Sequence, residues 1–206
     1  MTVIQYKGKV ILLTNPTDGK FDVILKAAIE VISEKGLDKS SISEIVKLAG
    51  VAQGTFYLYF KSKKDLIPAI ADKLLAITLA DVKVKTEQKE TFWEKLDVLI
   101  DETFQTTNTH QDIIVLVYSG LAVHHSLEKW EAVYQPYYDW FEQVMREAIE
   151  NEEIIDSIHV GWTARSLINM IENAAERYYI GYEQDEELAV YRAELFHFIK
   201  RSLERL

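Results

Sequence analysis

The segment Ser41–Asp65, SISEIVKLAGVAQGTFYLYFKSKKD, predicts two short helices joined by a glycine turn and followed by the start of a third helix. Ser41 can cap the first helix, and Glu44, three residues further on, can bond back to it as a capping box. Gly50 lies at the turn, where glycine enters the left-handed backbone region without a Cβ penalty. The second helix, at about 53–60, begins with small polar residues and continues with aromatic ones. This pattern predicts a helix-turn-helix whose second helix enters the major groove of DNA.

Helical periodicity continues on both sides of this segment. A first helix with an apolar stripe begins near Phe21 and stops at Gly36, and a fourth helix is expected from Ser62 to about Ala80. Breaks are expected at 83–90 and at four further points: Thr106 to Asn108, Gly120, Asn151 to Glu153, and Gly181 to Asp185. Later helices are expected at about 91–106, 111–123, 127–150, 158–182 and 185–204.

Residues 1–19 form an N-terminal extension with some strand character between Val3 and Leu13. In one interpretation Lys7 and Lys9 form a basic arm that reaches a DNA minor groove. In the other, which we favour, the extension is frayed or packs locally.

Charge is distributed unevenly along the 206 residues, whose formal net charge is −10. Residues 1–65 carry ten Lys or Arg and seven Asp or Glu, a net charge of +3, and the remainder carries 13 and 26, a net charge of −13. A basic head on an acidic body directs one end of the molecule towards phosphate, although the acidity also serves solvation.

Composition excludes several classes of function. The chain has no cysteine, so disulfides and thiolate chemistry are excluded, and no apolar run is long enough for a membrane span or signal peptide. We therefore expect a cytoplasmic protein without membrane contact. Sequence patterns of zinc proteases, phosphate-binding loops and serine hydrolases are absent, so we predict that it is not an enzyme and needs no cofactor. His124, His125 and Glu128 offer too few ligands to predict a metal site.

The stretch AGVAQGTFYLYFKSKKDL, residues 49–66, with the preceding SISEIV and FDVILKAAIEVISEKG, resembles the tetracycline-repressor (TetR) family of transcriptional regulators. The resemblance implies an all-α fold, with a three-helix helix-turn-helix head at 20–66 and a ligand-sensing and dimerisation body at 67–206. It further implies a repressor that binds a palindromic operator as a dimer and is released by a small hydrophobic effector. An alternative of the same fold is a DNA-bound regulator or nucleoid-associated protein controlled by a protein partner.

Several head residues are candidates for contact with double-stranded DNA. The Gln53 amide can pair bidentately with adenine, and the Thr55 hydroxyl or methyl can contact phosphate or thymine. The resemblance implies contacts from Tyr57 and Tyr59, although both rings could instead belong to the head core. Ala52 lacks the capping hydroxyl that the family often has, and Ser43 stands where relatives can carry arginine. The predicted DNA-binding residues are Ser41, Ser43, Gln53, Gly54, Thr55, Tyr57, Tyr59, Lys61 and Lys63, with Lys63 gripping a phosphate at a helix start.

The body is rich in aromatic side chains, which form either plain core or an effector pocket. An aromatic pocket beside a carboxylate suits a flat or cationic hydrophobic compound, and an uncharged lipid-like ligand is equally permitted. Glu172 and Asn173 interrupt an otherwise apolar helix, which makes them the first polar candidates. The predicted ligand-binding residues are Phe104, Tyr118, Tyr134, Tyr137, Phe141, Glu172 and Asn173.

The last two predicted helices each carry a wide apolar stripe, one from Val160 to Tyr182 and one from Leu188 to Leu203. Two copies of the chain could cover these stripes in a four-helix bundle, which predicts a homodimer through these helices. Alternatively, earlier helices of the same chain cover them.

Overall fold

The computed structural model describes residues 3–6, 9–12, 19–124, 127–181 and 187–205. The chain forms two compact units. The first unit comprises Met1–Ile77 with Asp112–Val133, and the second comprises Thr78–Gln111 with Tyr134–Leu206. The first unit is larger than the predicted head because residues 66–71 and 113–117 contribute to its hydrophobic core. The functional division at residue 66 remains a prediction.

Two short antiparallel strands, β1 (Val3–Tyr6) and β2 (Lys9–Leu12), precede the helices. Val3 lies opposite Leu12, and Tyr6 lies opposite Lys9. The strand character predicted for this extension is therefore confirmed, and the fold is otherwise all-α. The two lysine side chains of the hypothetical basic arm lie outside the described part of the structure.

The predicted head helices are confirmed as α1 (Gly19–Lys35), α2 (Ile42–Ala49) and α3 (Gln53–Tyr59). Glycine ends the first two. Gly36 follows α1 with φ 81°, and its N–H donates to the Ile32 carbonyl at 2.7 Å. Gly50 follows α2 with φ 68°, a left-handed conformation that costs a residue with a side chain about 1–2 kcal/mol.

A 3₁₀ turn, Lys63–Asp65, leads into α4 (Leu66–Thr86). The Asp65 carboxylate accepts hydrogen bonds from the Ser62 N–H at 2.8 Å and the Ser62 hydroxyl at 3.1 Å, which holds the start of this turn. The predicted end of this helix near Ala80 is wrong. Val82 and Thr86 continue a buried stripe, so α4 extends into the polar stretch while its lysines face solvent.

The remaining helices are α5 (Phe92–Thr109), α6 (Gln111–His124), α7 (Leu127–Glu150), α8 (Val160–Tyr179) and α9 (Leu188–Leu203). Two predicted breaks are wrong. α5 continues through its threonines, and the hydroxyls of Thr107 and Thr109 are satisfied within the helix because each donates to a carbonyl one turn back, at 2.8 Å. α6 continues through Gly120, and α7 is continuous through Pro136.

Each unit has an apolar core of its own. In the second unit α5 packs against α8 and α9, and the predicted stripe of α8 is buried there, including Ala164, Ile168 and Ile171. Helices of the same chain therefore cover this stripe, which was the alternative to its burial in a dimeric four-helix bundle. Among the described helices, none is long and apolar enough to cross a membrane. The core of the first unit includes Ile24, Leu25, Ile32, Ile45, Phe56, Phe60, Leu66, Ile67 and Ile70.

Candidate DNA-binding and effector sites

A capping box fixes the start of α2. The Ser41 hydroxyl accepts a hydrogen bond from the Glu44 N–H at 3.2 Å, and the Glu44 carboxylate accepts one from the Ser41 N–H at 3.0 Å. Glu44 also forms an ion pair with Lys35 at the end of α1. This ion pair and the Ser41 hydrogen bonds lower the pKa of Glu44 to about 2. Ser41 therefore orders the helix-turn-helix, and its DNA contact stays a prediction.

Aromatic packing holds α3 against the head. Phe56 and Phe60 are buried, and the Phe60 ring stacks on Phe21 with the centroids 5.3 Å apart. Tyr59 is half-buried, and its ring meets the Phe21 ring edge-on at 5.8 Å. Tyr59 thus contributes to the head core, in line with the alternative given for it, whereas Tyr57 is 51% exposed.

The remaining surface of α3 is available to a ligand. Gln53 and Gly54 are exposed at its first turn, and Thr55 is half-buried. Ala52, the residue before the helix, provides no side-chain cap, as the sequence predicted. Sequence analysis omitted Leu58, which is 80% exposed. Its position two residues after buried Phe56 places it on the opposite side of the helix, and this spacing could have identified it.

Lysine residues surround the end of α3, but they are not equivalent. Lys61 and Lys64 are exposed. The Lys63 ammonium donates to the Ser40 carbonyl at 2.6 Å and to the Asp38 carbonyl at 3.2 Å. Lys63 therefore ties the loop between α1 and α2 to the start of the 3₁₀ turn and retains one N–H for another acceptor.

A second cluster, which we call the acidic subsite, comprises Tyr134 and Tyr137 of α7 and Glu172 of α8. The Tyr134 hydroxyl donates to the Glu172 carboxylate at 2.9 Å. Withdrawal from water raises the pKa of Glu172 to about 8; the hydrogen bond from Tyr134 opposes this change and the neighbouring Glu176 adds to it. The Glu172 carboxyl is therefore mostly protonated near neutral pH.

Tyr137 is the most unusual member of the acidic subsite. It is 2% exposed, and its hydroxyl has no hydrogen-bond partner among the described residues. The Thr103 hydroxyl of α5, which donates its own proton to the Leu99 carbonyl at 2.8 Å, lies near Tyr137 and acts to lower its pKa. Burial and the nearby Glu172 carboxyl outweigh this effect and raise the pKa of Tyr137 well above its usual value.

The other predicted ligand residues lie elsewhere. Phe104 is buried among tyrosine rings of α8 and α9, and Phe141 packs on Phe92 with the centroids 6.2 Å apart. Tyr118 is 49% exposed and belongs to the first unit. Asn173 does not share the side of α8 that carries Glu172: neighbouring helical residues point about 100° apart, and Asn173 is exposed.

The histidine pair considered as a metal site lies where side chains are outside the described structure. In the described residues, no group of three or more His, Cys, Asp or Glu is arranged to hold a metal ion.

The exposed face of α3 on a capped helix-turn-helix defines a DNA-binding transcriptional regulator. Two family profiles match the chain: "Bacterial regulatory proteins, tetR family" over residues 24–70, and "Tetracyclin repressor-like, C-terminal domain" over residues 96–203. The chain belongs to the TetR family. Its regulators bind DNA and are not enzymes.

Individual relatives agree with this assignment. An HTH-type transcriptional regulator of Bacillus subtilis (strain 168), YvdT, is 62% identical over 187 residues, which cover 91% of this chain and 96% of the relative. A fatty acid metabolism regulator protein of the same strain is 28% identical over 156 residues, covering 74% and 80%. The crystal structure of the Bacillus subtilis regulator FadR in complex with stearoyl-CoA has a TM-score of 0.70 at 25% identity and covers 86% of this chain and 96% of that one.

Proposed function

We propose that this protein is a ligand-responsive repressor that binds a palindromic operator as a homodimer and leaves it when a small hydrophobic effector binds in the second unit. The exposed surface of α3 is the observation that carries this proposal. Gln53 can read adenine there, Tyr57 can reach the backbone, and Lys61 and Lys64 supply charge for phosphate. Because its target is the chromosome, the protein acts in the cytoplasm.

Dimerisation is supported by apolar side chains that the single chain leaves uncovered on its last two helices. Trp162 of α8 is 71% exposed, and Val190 and Phe198 of α9 are 47% and 54% exposed. Asn173 lies three turns after Trp162 on the same exposed face of α8. A second copy would cover these residues and supply the second recognition helix that a palindromic operator needs.

Effector control is supported by Tyr137 of the acidic subsite, whose buried hydroxyl has no hydrogen-bond partner among the described residues. A similar regulator of known structure holds stearoyl-CoA. α4 carries residues of both units, so we place the coupling between effector and operator there. Binding that favours one position of α4 would change the separation of the recognition helices and release the dimer. Repression follows if the bound dimer blocks polymerase.

The decisive experiment begins with selection of a duplex from a random pool by the purified protein. Fluorescence anisotropy then measures the affinity of the protein for that duplex, with and without a panel of hydrophobic cations, acyl-CoA thioesters and free fatty acids. We expect an inverted repeat and at least a tenfold loss of affinity with one class of compound. A selected duplex without an inverted repeat, or affinity unchanged by every class, would contradict the proposal.

A further inference from the structure

Two phenols and a carboxyl of the acidic subsite lie together where α7 meets α8: Tyr134 and Tyr137 are buried, and Glu172 is half-buried. An unpartnered buried hydroxyl costs about 1–3 kcal/mol, and a carboxyl that burial keeps protonated also costs stability. Tyr137 and Glu172 therefore weaken the fold in which they are found. Groups of this kind are common in binding sites, where a ligand supplies the missing partner.

The charges around Glu172 favour a positive partner. Glu176 on α8 is negative, and Glu102 on α5 is buried and paired with Lys85. Among the described residues, no cation lowers the pKa of Glu172. A ligand cation would be its counter-ion and would favour the ionised carboxylate.

The neighbouring aromatic rings also suit a cation. The Tyr138 ring stacks on Tyr134 with the centroids 5.5 Å apart. The Arg165 guanidinium already lies over the Tyr138 ring, 4.6 Å from its centroid, and is bonded to Glu142 at 3.0 Å. The negative faces of such rings attract organic cations, while their area supplies apolar contact.

We propose that the acidic subsite, formed by Tyr134, Tyr137 and Glu172, binds the cationic head of a hydrophobic organic effector. Glu172 gives up its proton to solvent and becomes the counter-ion, and the oxygen of Tyr137 turns a lone pair towards the cation. This inference rests on the proposed function because it names the effector class of the second unit.

The test uses a matched pair of probes on the full chain without DNA. Phenyltrimethylammonium and tert-butylbenzene have the same shape, with nitrogen replaced by carbon. Isothermal titration calorimetry at about pH 7, in buffers of different ionisation enthalpy, measures both affinity and proton release. We expect the cation to bind at least tenfold more tightly than the neutral probe and to release close to one proton per site, because Glu172 is mostly protonated at this pH.

Two variants locate the effect. Glu172→Gln should lose both the preference for the cation and the proton release while still binding tert-butylbenzene. Glu150→Gln, which removes an exposed carboxylate at the end of α7, should retain both. Equal affinity of the wild type for the two probes, or a preference that survives in Glu172→Gln, would overturn the inference. Operator release by an acyl-CoA alone would overturn it while leaving the proposed function standing.

A second inference comes from α3. Phe56 is buried, and both Gly54 and Leu58 lie two residues from it, about 200° around the helix. They therefore form the side of α3 furthest from the head core. Gly54 has no side chain, and a Cβ there would meet nothing within 4 Å. Leu58, which is 80% exposed, is thus a large apolar side chain on this side of α3.

An apolar side chain in the major groove has one apolar feature to recognise, the C5-methyl group of thymine. We infer that Leu58 contacts a thymine methyl in each half-site of the operator and so helps to determine its sequence. Removing one methyl from such a contact corresponds to roughly a fourfold loss of affinity per half-site.

Replacement of thymine by uracil removes this methyl and leaves base pairing unchanged. In the selected duplex, each thymine is replaced in turn and the affinity is measured by anisotropy. The affinity of wild type should fall about fourfold when uracil replaces thymine at one position per half-site. The affinity of Leu58→Ala should not fall further when the same thymine is replaced. Leu48→Ala, an exposed leucine of α2, should behave as wild type does.

Three outcomes would contradict this inference. The affinity of wild type could be unchanged by every uracil, or the selected half-sites could contain no thymine. Leu58→Ala could also lose as much affinity as wild type when the methyl is removed. Leu58 is 80% exposed, so the variant should fold normally, and its unfolding midpoint verifies this.

Discussion

The two units of this molecule place their polar groups in opposite ways. In the first unit the capping residues Ser41 and Glu44 and the candidate reading residues Gln53 and Tyr57 lie at the surface, over an apolar core. In the second unit two buried phenols, Tyr134 and Tyr137, adjoin a half-buried carboxyl, Glu172. A duplex is read by groups already in water, whereas a small ligand is held by groups withdrawn from it. This difference supports the proposal that the first unit meets the duplex and the second unit meets the effector.

Truncation of a buried ring in each unit should separate the two activities with the largest effect. Phe56→Ala removes a fully buried ring from the head and Phe141→Ala one from the second unit, and each should lower the free energy of unfolding by about 3–5 kcal/mol. Phe56→Ala should abolish duplex binding and retain binding of an effector, and Phe141→Ala should impair effector binding. Denaturant titration, anisotropy and calorimetry measure these outcomes. Loss of both activities in both variants would show that the units do not act separately.

Stability should depend on pH with opposite sign in the two units. The folded-state pKa of Glu172 is raised to about 8. Its contribution to the free energy of unfolding is therefore complete below about pH 4.5 and is lost as the pH rises through about 8. Between these two pH values the free energy of unfolding of wild type should fall by on the order of a few kcal/mol, and Glu172→Gln should not show this fall. Denaturant titrations at several pH values would show this.

For Glu44 the folded-state pKa is lowered to about 2, so its contribution is present above about pH 4.5 and is lost as the pH falls to about 2. Glu44→Gln should therefore flatten the acid side of the curve and leave the neutral side unchanged in shape. Identical pH profiles for the two variants would contradict the contrast between the units.

Two glycines of the helix-turn-helix should respond differently to alanine. Gly50→Ala places a side chain at φ 68° and should cost about 1–2 kcal/mol of stability. Gly54→Ala adds a methyl into open space within α3 and should gain about 0.5–1 kcal/mol from helix propensity. Gly54→Ala should nevertheless weaken duplex binding, because the methyl keeps the helix from the groove. Thermal unfolding measures the stability of the two variants, and anisotropy measures their affinity for the duplex. Binding of Gly54→Ala as tight as that of wild type would contradict this prediction.

The smallest effect concerns helix caps. Ser41→Ala removes the hydroxyl that accepts from the Glu44 N–H and should cost about 1 kcal/mol. Ala52→Ser supplies a hydroxyl where α3 has none and should stabilise the head by a similar amount. Chemical denaturation distinguishes these changes, and a destabilising Ala52→Ser would show that the start of α3 is held in another way.

Sequence reasoning was accurate where a local pattern determines the structure. The capping box of Ser41 and Glu44 and the left-handed Gly50 follow from residues a few positions apart. It was wrong at the end of α4, where buried Val82 extends the helix through a polar stretch. Polar composition alone does not reveal tertiary burial.

Long-range contacts explain the remaining differences. The bonds from Lys63 to the carbonyls of Asp38 and Ser40 join residues more than twenty positions apart, and no local pattern reports them. Glu172 was selected from sequence, but its separation from Asn173 and its bond to Tyr134 required the packing of two helices. Leu58 was omitted because leucine in a helix is usually assigned to the core.

The central claim is that the exposed side chains of α3 read base sequence while nearby lysines supply affinity for phosphate. The most direct test measures anisotropy with the selected duplex and a scrambled duplex over a range of salt concentrations, for wild type and for Gln53→Ala/Tyr57→Ala. Wild type should prefer the selected duplex and bind less tightly as salt rises. The double variant should keep the salt dependence and lose the preference. Binding of wild type that ignores salt, or a double variant with the full preference, would contradict the claim.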